Sequence, residues 1–275
     1  MDSFVMKRGL TVTYGDWGLV AGAAEGLGAA FARALAAQHM NLILVDHQKE
    51  LLNVLITDLE GSFHIEAKAL HLDLAGKDSV EIMMHTIAEV DCRFIIYNAA
   101  FSRVQKYLEN DRQMLDRYVQ VNISTPMQLV HSFCQLHQKD PDLKKGILLM
   151  SSLAGSWGTQ LLSPYGASKA FNQNLAESLH YELKDEGFDV LACIAGPTET
   201  PGYRASLPRG ERRSVPVMHP EEVVKAGLSA LGRKPFVVTG LRNRLIFFIM
   251  SRLFSRRISL RIMNRAVGKL YSEDL

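Results

Sequence analysis

The chain has 275 residues, of which 47% are hydrophobic and 22% are charged, and its formal net charge at pH 7 is +2. This composition excludes a disordered or low-complexity chain, and the length suits one domain with a substantial core.

The three cysteines lie far apart without metal-ligand spacing, so we expect a reduced, cytoplasmic environment and no metal site. The start lacks the apolar core of a secretory signal, and no run reaches the roughly 18 apolar residues of a spanning helix, so we expect neither secretion nor a membrane crossing.

Short apolar runs alternate with longer helical patterns from residue 17 onward. Strands are predicted over 17–22, 41–46, 64–73, 93–98, 146–151, 188–196 and 235–240. Helices are predicted between them over 26–39, 47–60, 78–90, 109–138, 163–186 and 220–231. This order predicts an α/β fold in which residues 1–275 form a single domain, with a Rossmann-type, doubly wound parallel sheet of about seven strands and helices on both faces. Such sheets bind ligands at the carboxyl ends of their strands.

A glycine-rich turn follows the first predicted strand, with Gly22, Gly26 and Gly28 in AGAAEGLG. Glycines permit a tight turn and close approach to a pyrophosphate, and the free N–H groups of the following helix attract the anion. Asp46 ends the second predicted strand, where a carboxylate accepts hydrogen bonds from the adenosine ribose and repels a 2′-phosphate. The pattern predicts a dinucleotide site that prefers NAD over NADP, although Asp46 is also placed to cap the helix over 47–60.

Asp73 ends the third predicted strand, and two interpretations of it remain open. A carboxylate at this position can meet the adenine amino group of a bound dinucleotide. The same side chain can also cap or turn the chain just before the helix over 78–90.

Four polar residues in the middle of the chain form a candidate catalytic set. Ser152 follows the fifth predicted strand, and Tyr165 and Lys169 lie four residues apart at the start of the next predicted helix. Asn122 lies in the helix predicted over 109–138. A tyrosine and a lysine at this spacing are ordinary neighbours on any helix, so the pair alone is weak evidence. On a doubly wound sheet, however, all four can converge at the ligand-binding edge.

With these residues in place, the chain resembles the short-chain dehydrogenase/reductase family over about residues 15–240. The matching segments, in chain order, are AGAAEGLG at 21–28 for the T-G-x-x-x-G-x-G loop, YNAA at 97–100 for N-N-A-G, Asn122 for the active-site asparagine, Ser152 for the serine, Tyr165 and Lys169 for Y-x-x-x-K, and AGPTET at 195–200 for the P-G segment. Each match alone is weak, but their order and spacing together identify the chain as a member.

The resemblance implies an NAD(P)-dependent oxidoreductase with Asn122, Ser152, Tyr165 and Lys169 as catalytic residues. A free tyrosine has a pKa of about 10 and needs a nearby positive charge to act as a base at neutral pH. Lys169 would supply that charge and bind the nicotinamide ribose, while Tyr165 would take or donate the proton of the reacting oxygen. Ser152 would hold the substrate oxygen, and Asn122 would position water between Lys169 and solvent.

The resemblance also implies a set of dinucleotide-binding residues. They are Gly22, Ala24, Glu25, Gly26, Leu27, Gly28, Asp46, Asp73, Leu74, Asn98, Ala99, Tyr165, Lys169, Gly196, Pro197, Thr198 and Thr200.

Four residues depart from the family pattern. They are Ala21 in place of the loop threonine, Tyr97 and Ala100 in place of the outer residues of N-N-A-G, and Ala195 in place of the proline of P-G. The family's threonine ties the first strand's turn to the fourth-strand motif, so we hypothesise that Ala21 and Tyr97 have replaced both ends of this tie together. We expect altered local stability rather than lost activity, because Asn98 and Ala99 remain.

Residues 198–219, which we call the lid, contain prolines and glycines and show no clear periodicity. A segment of this length inside a compact domain is typically functional. The expected pocket wall is mainly apolar and comprises Leu153, Ala154, Trp157, Leu161 and Leu162 with Tyr203 and Leu207 of the lid. This wall favours a hydrophobic alcohol or ketone, such as a lipid, steroid or acyl compound, although several of these residues are equally suited to the core.

Residues 241–275, which we call the tail, lie outside the family pattern. Residues 241–271 hold eight Lys/Arg and no acidic residue, whereas residues 1–240 hold 23 basic and 27 acidic residues. Arg257, Arg261, Arg265 and Lys269 recur every four residues, with apolar residues between them. Such a basic amphipathic helix favours peripheral membrane contact or packing on the lid, or a contact within a homo-dimer or homo-tetramer. Nucleic-acid binding is not expected, because no reader motif is present.

The sequence therefore favours an NAD-dependent oxidoreductase that interconverts a hydrophobic secondary alcohol and its ketone by hydride transfer. Two alternatives remain open: a nucleotide-binding regulatory protein with little turnover, and a membrane-associated lipid-binding protein. The complete catalytic set favours the enzyme, because a protein that only binds a nucleotide has no evident need for all four residues.

Overall fold

The computed structural model describes residues 9–140, 143–207 and 216–271. The strands are β1 (Trp17–Ala21), β2 (Asn41–Asp46), β3 (Ala67–His71), β4 (Phe94–Tyr97), β5 (Lys145–Ser152), β6 (Phe188–Ala195) and β7 (Phe236–Val238). The helices are α1 (Leu10–Tyr14), α2 (Gly26–Ala36), α3 (Lys49–Phe63), α4 (Ser79–Glu89), α5 (Arg112–Val119), α6 (Thr125–His137), α7 (Leu153–Ser156), α8 (Ser163–Glu182), α9 (Pro201–Ser206), α10 (Pro220–Ala230), α11 (Leu241–Phe248) and α12 (Arg256–Tyr271). A 3-10 turn covers Tyr107–Glu109, and π-helical turns cover Gln120–Ser124 and Ile249–Leu253.

The seven strands form one parallel sheet in the order β3-β2-β1-β4-β5-β6-β7. Crossovers run outward in both directions from β1 and β4, which makes the gap between these two strands the topological switch point. The predicted doubly wound sheet of seven strands is thereby confirmed.

Apolar side chains cover both faces of the sheet, as expected for parallel strands buried on each side. In β1, Leu19 joins the core beneath α4, α6 and α8, whereas its neighbour Val20 joins the core beneath α2, α3 and α10. Both side chains are fully buried. The sheet is therefore a rigid support for the loops at its carboxyl edge.

Three predicted segments differ from the observed ones. The strand expected over 64–73 is limited to Ala67–His71, and Ser152 is the last residue of β5 rather than the first residue beyond it. The single helix expected over 109–138 is α5 and α6 joined by the π-helical turn at Gln120–Ser124. A wider turn of this kind inserts one extra residue into the helix and is often found at functional sites.

The lid begins with helical structure that its irregular sequence did not indicate. Thr200 caps α9 by accepting a hydrogen bond from the Tyr203 N–H at 3.1 Å. The two ends of the lid are joined by a parallel bridge between Thr198 and Met218. Its residues 208–215 lie outside the described part of the chain.

The tail folds as α11, a π-helical turn and α12. No helix in the described ranges is long and apolar enough to cross a membrane.

Candidate active site

A cleft of about 1090 Å³ opens at the carboxyl ends of β1, β2, β4, β5 and β6. It lies where the switch point predicts a ligand site. Three of the four expected catalytic residues line it, Asn122 being the exception, and so do all the expected dinucleotide residues except Ala24 and Gly28. Most of the predicted site residues therefore line this cleft.

The glycine-rich turn and the start of α2 form one end of the cleft. A Cβ on Gly28 would lie 1.8 Å from the carbonyl oxygen of Gly22, so only glycine allows the turn to close this tightly. The residue before α2, Glu25, makes no side-chain cap, which leaves the first N–H groups of the helix to an anion. The turn is held from β4, because Asn98 Nδ2 donates to the Gly22 oxygen at 2.8 Å. This cradle fits a dinucleotide pyrophosphate.

Asp46 lies beside this cradle at the end of β2 and is buried. One carboxylate oxygen accepts a hydrogen bond from the Ala24 N–H and the other from the Gln48 N–H, both at 3.0 Å. Ala24 therefore contributes to the site by fixing Asp46 rather than by lining the cleft. The carboxylate borders the cleft and also stabilises the turn into α3, so the two roles considered for Asp46 are compatible.

Asp73 also lines the cleft, but it has protein partners. Both of its oxygens accept hydrogen bonds from Arg117, at 3.0 and 3.1 Å, and one also accepts from the Ala75 N–H at 3.0 Å. Partial burial raises the pKa of the Asp73 carboxyl, but the bonds from Ala75 and Arg117 outweigh it and lower that pKa below its ordinary value. The turn-forming role of Asp73 is thus present, together with an ion pair that the sequence did not reveal.

Ser152 and Tyr165 meet at the centre of the cleft. Ser152 ends β5, Tyr165 lies in the first turn of α8, and the Ser152 hydroxyl is close enough to Tyr165 to act on its pKa. The approach of α7 to α8 that brings them together depends on Gly155, since a Cβ there would lie 2.6 Å from the Ala170 nitrogen. The serine and tyrosine can therefore bind one substrate oxygen between them.

Lys169 lies one turn further along α8, with its side chain buried behind Tyr165. Its Nζ donates to the Met150 carbonyl oxygen at 2.9 Å and lies 5.8 Å from the centre of the Tyr165 ring. Ser151 Oγ donates to the Lys169 carbonyl oxygen at 2.8 Å, which fastens α8 to β5. The lysine is thereby held in one position beside the phenol.

Burial changes the acidity of both groups. It lowers the pKa of Lys169 to about 8, and it raises the pKa of Tyr165 above its ordinary value. The Ser152 hydroxyl acts in the opposite direction on Tyr165, whereas the nearby Tyr271 and Tyr118 add to the rise. The groups of the chain itself therefore keep Tyr165 as a protonated phenol at neutral pH.

Asn122 lies in the π-helical turn and is completely buried. Its Oδ1 accepts from the Phe101 N–H at 2.7 Å, and its Nδ2 donates to the Phe101 oxygen at 2.9 Å and to Ser168 Oγ at 3.0 Å. Both amide hydrogens are thus used within the protein. The side chain fixes the segment after β4 against α8.

Ala21 and Tyr97 lie side by side in the register of β1 and β4. The Tyr97 hydroxyl donates to the Val121 carbonyl oxygen at 2.6 Å, so this departure from the family pattern connects β4 to the π-helical turn. Tyr97 is 1% exposed. Main-chain bonds help the Asn98 side chain to hold the glycine-rich turn, since the N–H groups of Asn98 and Ala99 donate to the Ala21 oxygen at 3.0 and 2.9 Å.

A family model described as short chain dehydrogenase matches residues 17–209. The chain belongs to the short-chain dehydrogenase family. It is therefore an NAD(P)-dependent oxidoreductase, as its motifs predicted.

Relatives and solved structures of this family resemble the chain over most of its length. A 7beta-hydroxysteroid dehydrogenase of Clostridium sardiniense is 31% identical over 232 residues, which cover 84% of this chain and 88% of the relative. A very-long-chain 3-oxoacyl-CoA reductase of Neurospora crassa is 30% identical over 224 residues, which cover 79% of this chain and 65% of the relative. A structure solved in work on 7beta-hydroxysteroid dehydrogenase stereoselectivity superposes with a TM-score of 0.85 at 27% identity, covering 93% of this chain and 99% of the other.

The remaining wall of the cleft in this short-chain dehydrogenase comes partly from residues that the sequence did not single out. Of the expected wall residues, Leu153, Ala154, Leu162 and Tyr203 line the cleft. Trp157 packs instead against Phe247 of α11, with ring centres 5.5 Å apart, and Leu161 and Leu207 are not among the lining residues described. The tail adds Met263, Val267, Leu270 and Tyr271.

Hydrogen bonds fasten the tail of this short-chain dehydrogenase over the cleft. The Gln160 N–H donates to Asn264 Oδ1 at 2.7 Å, and Asn264 Nδ2 donates to the Gly158 oxygen at 2.9 Å. At the end of α12, burial raises the pKa of Tyr271, and the nearby hydroxyl of Ser206 in the lid opposes this rise. Packing on the lid was one of the alternatives that the amphipathic pattern of α12 left open, whereas its contribution to the cleft was not predicted.

Proposed function

We propose that this short-chain dehydrogenase interconverts a hydrophobic secondary alcohol and its ketone, with NAD as the dinucleotide and Tyr165 as the acid or base. The observation that carries the proposal is the placement of Ser152 and Tyr165 side by side in the cleft, backed by the buried ammonium of Lys169. The apolar side chains of α12 beside this pair, Met263, Val267 and Leu270, support a hydrophobic substrate. Two relatives, the 7beta-hydroxysteroid dehydrogenase and the very-long-chain 3-oxoacyl-CoA reductase, support the same substrate class.

The residues of the glycine-rich turn would hold the pyrophosphate of the dinucleotide, and Asp46 its adenosine ribose. A carboxylate at this position accepts hydrogen bonds from free ribose hydroxyls and repels a 2′-phosphate, which is why we propose NAD rather than NADP. Gly196, Pro197, Thr198 and Thr200 also line the cleft and would contact the nicotinamide half. When bound, the dinucleotide would supply or accept the hydride.

The substrate oxygen would lie between the hydroxyl groups of Ser152 and Tyr165. During reduction of a ketone, the protonated Tyr165 phenol donates its proton to this oxygen, and Ser152 holds the oxygen by a hydrogen bond. During oxidation of an alcohol the proton moves the other way, and the charge of Lys169 stabilises the phenolate that forms. Asn122 contributes by positioning the wall of the site, since both of its amide hydrogens are donated to protein groups.

The replacement Tyr165→Phe tests the proposal directly. It removes the transferable proton but keeps the ring, so turnover of hydrophobic ketones should fall by roughly 10²-fold or more, while NADH binding measured by fluorescence stays near the wild-type value. Tyr181→Phe is the matched control, because Tyr181 lies on the same helix and is 71% exposed. Wild-type turnover in Tyr165→Phe would disprove the mechanism.

We also propose that the enzyme is a cytoplasmic homo-dimer or homo-tetramer. Sedimentation velocity on the purified chain would test the subunit number, and a monomer at all concentrations would contradict it.

A further inference from the structure

The exposed side of the tail carries an unusual density of large apolar side chains. Seven of them occur between residues 241 and 262, all at least 40% exposed, whereas the rest of the described chain has twelve large apolar residues of comparable exposure. The seven are Leu241, Leu245, Phe248, Leu253, Phe254, Ile258 and Ile262. Single exposed apolar residues are ordinary on a protein surface, but a contiguous group of them indicates an interaction site.

Helical spacing gathers most of these side chains on one exposed face of α11 and one exposed face of α12, with arginines beside them. In α11, Leu241, Leu245 and Phe248 are spaced i, i+4 and i+7 on one face, and Arg242 and Arg244 border it on either side. In α12, Arg257, Arg261 and Arg265 form an exposed stripe, and Ile258 and Ile262 lie next to it. We call the exposed residues of 241–265 the tail surface.

The tail surface is held facing outward, because the other side of the same elements is occupied. Asn243 Nδ2 donates to the Thr239 oxygen at 2.9 Å, and Ser259 Oγ donates to the Met250 oxygen at 2.6 Å. The opposite face of α12 provides Val267 and its apolar neighbours to the cleft. The exposed apolar residues therefore need no rearrangement of the protein to meet a partner.

The charge of this surface determines what partner it fits. Residues 241–271 contain no acidic residue, and the ion pairs found between described residues do not involve the arginines of 241–265. In a two-fold contact with a second copy, the same patch would face itself and bring arginines against arginines. An anionic lipid surface offers both phosphates for the arginines and an apolar interior for the leucine, isoleucine and phenylalanine side chains.

We propose that the tail surface docks on an anionic lipid bilayer. The apolar side chains of α11 enter the interface between headgroups and acyl chains, and the α12 arginines bind headgroup phosphates. Because α12 has the cleft on its other side, docking would bring the substrate cleft close to the membrane, where hydrophobic compounds partition. The docking itself requires no turnover, so its test is independent of the proposed reaction.

Vesicle flotation of the full chain tests this proposal, with phosphatidylcholine vesicles that either contain or lack phosphatidylglycerol. Three triple variants are compared with the wild type: R257Q/R261Q/R265Q in the arginine stripe, L241Q/L245Q/F248Q in the apolar face, and K184Q/R233Q/K234Q as a control that removes the same charge from exposed positions elsewhere. Thermal unfolding of each variant verifies that it is folded.

The proposal requires that the wild type and the control float with phosphatidylglycerol vesicles and that added salt weakens this binding. The arginine variant should lose roughly a hundredfold in affinity, given the contribution of each basic residue near an anionic surface, and the apolar variant should also lose binding. Equal flotation with and without phosphatidylglycerol, or unchanged binding of the two tail variants, would overturn it. A wild-type dimer that dissociates in L241Q/L245Q/F248Q would assign the surface to a second copy and would also overturn it.

Discussion

The replacement Tyr97→Phe isolates the hydrogen bond that joins β4 to the π-helical turn. It removes one hydroxyl and leaves the ring and its packing in place. Burial raises the pKa of Tyr97, so its hydroxyl remains a protonated donor to Val121 at all ordinary pH values. In the variant, the Val121 carbonyl stays buried but loses this donor.

The expected cost follows from the burial of both groups. Tyr97 is 1% and Val121 6% exposed, so water has little access to the carbonyl that is left behind. An unsatisfied buried polar group costs about 1–3 kcal/mol, and we expect the free energy of unfolding to fall by that amount. For a chain of this size, each kcal/mol corresponds to a decrease of about 2–4 °C in Tm.

Urea unfolding followed by circular dichroism measures this change, which should shift the midpoint and leave the slope unchanged. Tyr181→Phe again serves as the control, and its exposed hydroxyl should contribute within about 0.5 kcal/mol of zero. Because Val121 precedes Asn122, we also expect turnover to fall, by less than about tenfold. If Tyr97→Phe unfolds like the control, the hydroxyl does not support the turn and this reasoning is wrong.

Three further predictions concern the lysine, the tail and the ribose carboxylate. The pKa of Lys169 is about 8 in the folded protein against 10.5 for a free lysine, so its buried charge destabilises the fold below pH 8, and this cost disappears as the pH rises to 10.5. The unfolding free energy of the wild type relative to that of Lys169→Met should therefore increase by about 3 kcal/mol between pH 8 and pH 10.5. A difference that does not change with pH would contradict this prediction. Asn264→Ala removes the side-chain bonds to the Gly158 oxygen and the Gln160 N–H and keeps the bond from Gln160 Nε2 to its main-chain oxygen. The variant should raise KM for bulky ketones while KM for small ketones stays unchanged, whereas an equal change for both would show that α12 is not a substrate wall. Asp46→Ser should reduce the ratio of kcat/KM with NAD to kcat/KM with NADP by about tenfold or more, which is equivalent to about 1.4 kcal/mol. An unchanged ratio would show that the carboxylate does not select the dinucleotide.

The sheet and most of the cleft were predictable because their signals are local. Buried parallel strands appear as short apolar runs, and a phosphate turn requires glycine at fixed positions, so Gly28 and Asp46 are recognisable from spacing alone. Tyr165 and Lys169 were recognisable because their spacing agreed with the other motifs along the chain.

Other features depend on contacts between distant residues. Arg117, the partner of Asp73, lies 44 positions further along the chain, and nothing in the local pattern connects them. Trp157 was expected in the pocket wall because it is large and apolar, yet Phe247, 90 positions later, provides its packing partner. The π-helical turn has no residue signature of its own, since it differs from an α-helix only in its hydrogen bonds.

The position of α12 has a consequence for how selectivity can change in this enzyme. The match to the family model ends at residue 209, so Met263, Val267 and Leu270 lie outside the segment that defines the family, although they line the cleft. Substitutions at these three positions can reshape the cleft while β1 to β6 and the residues that move the proton stay unaltered. Libraries restricted to α12 are therefore a direct route to new substrate preferences on an intact catalytic core.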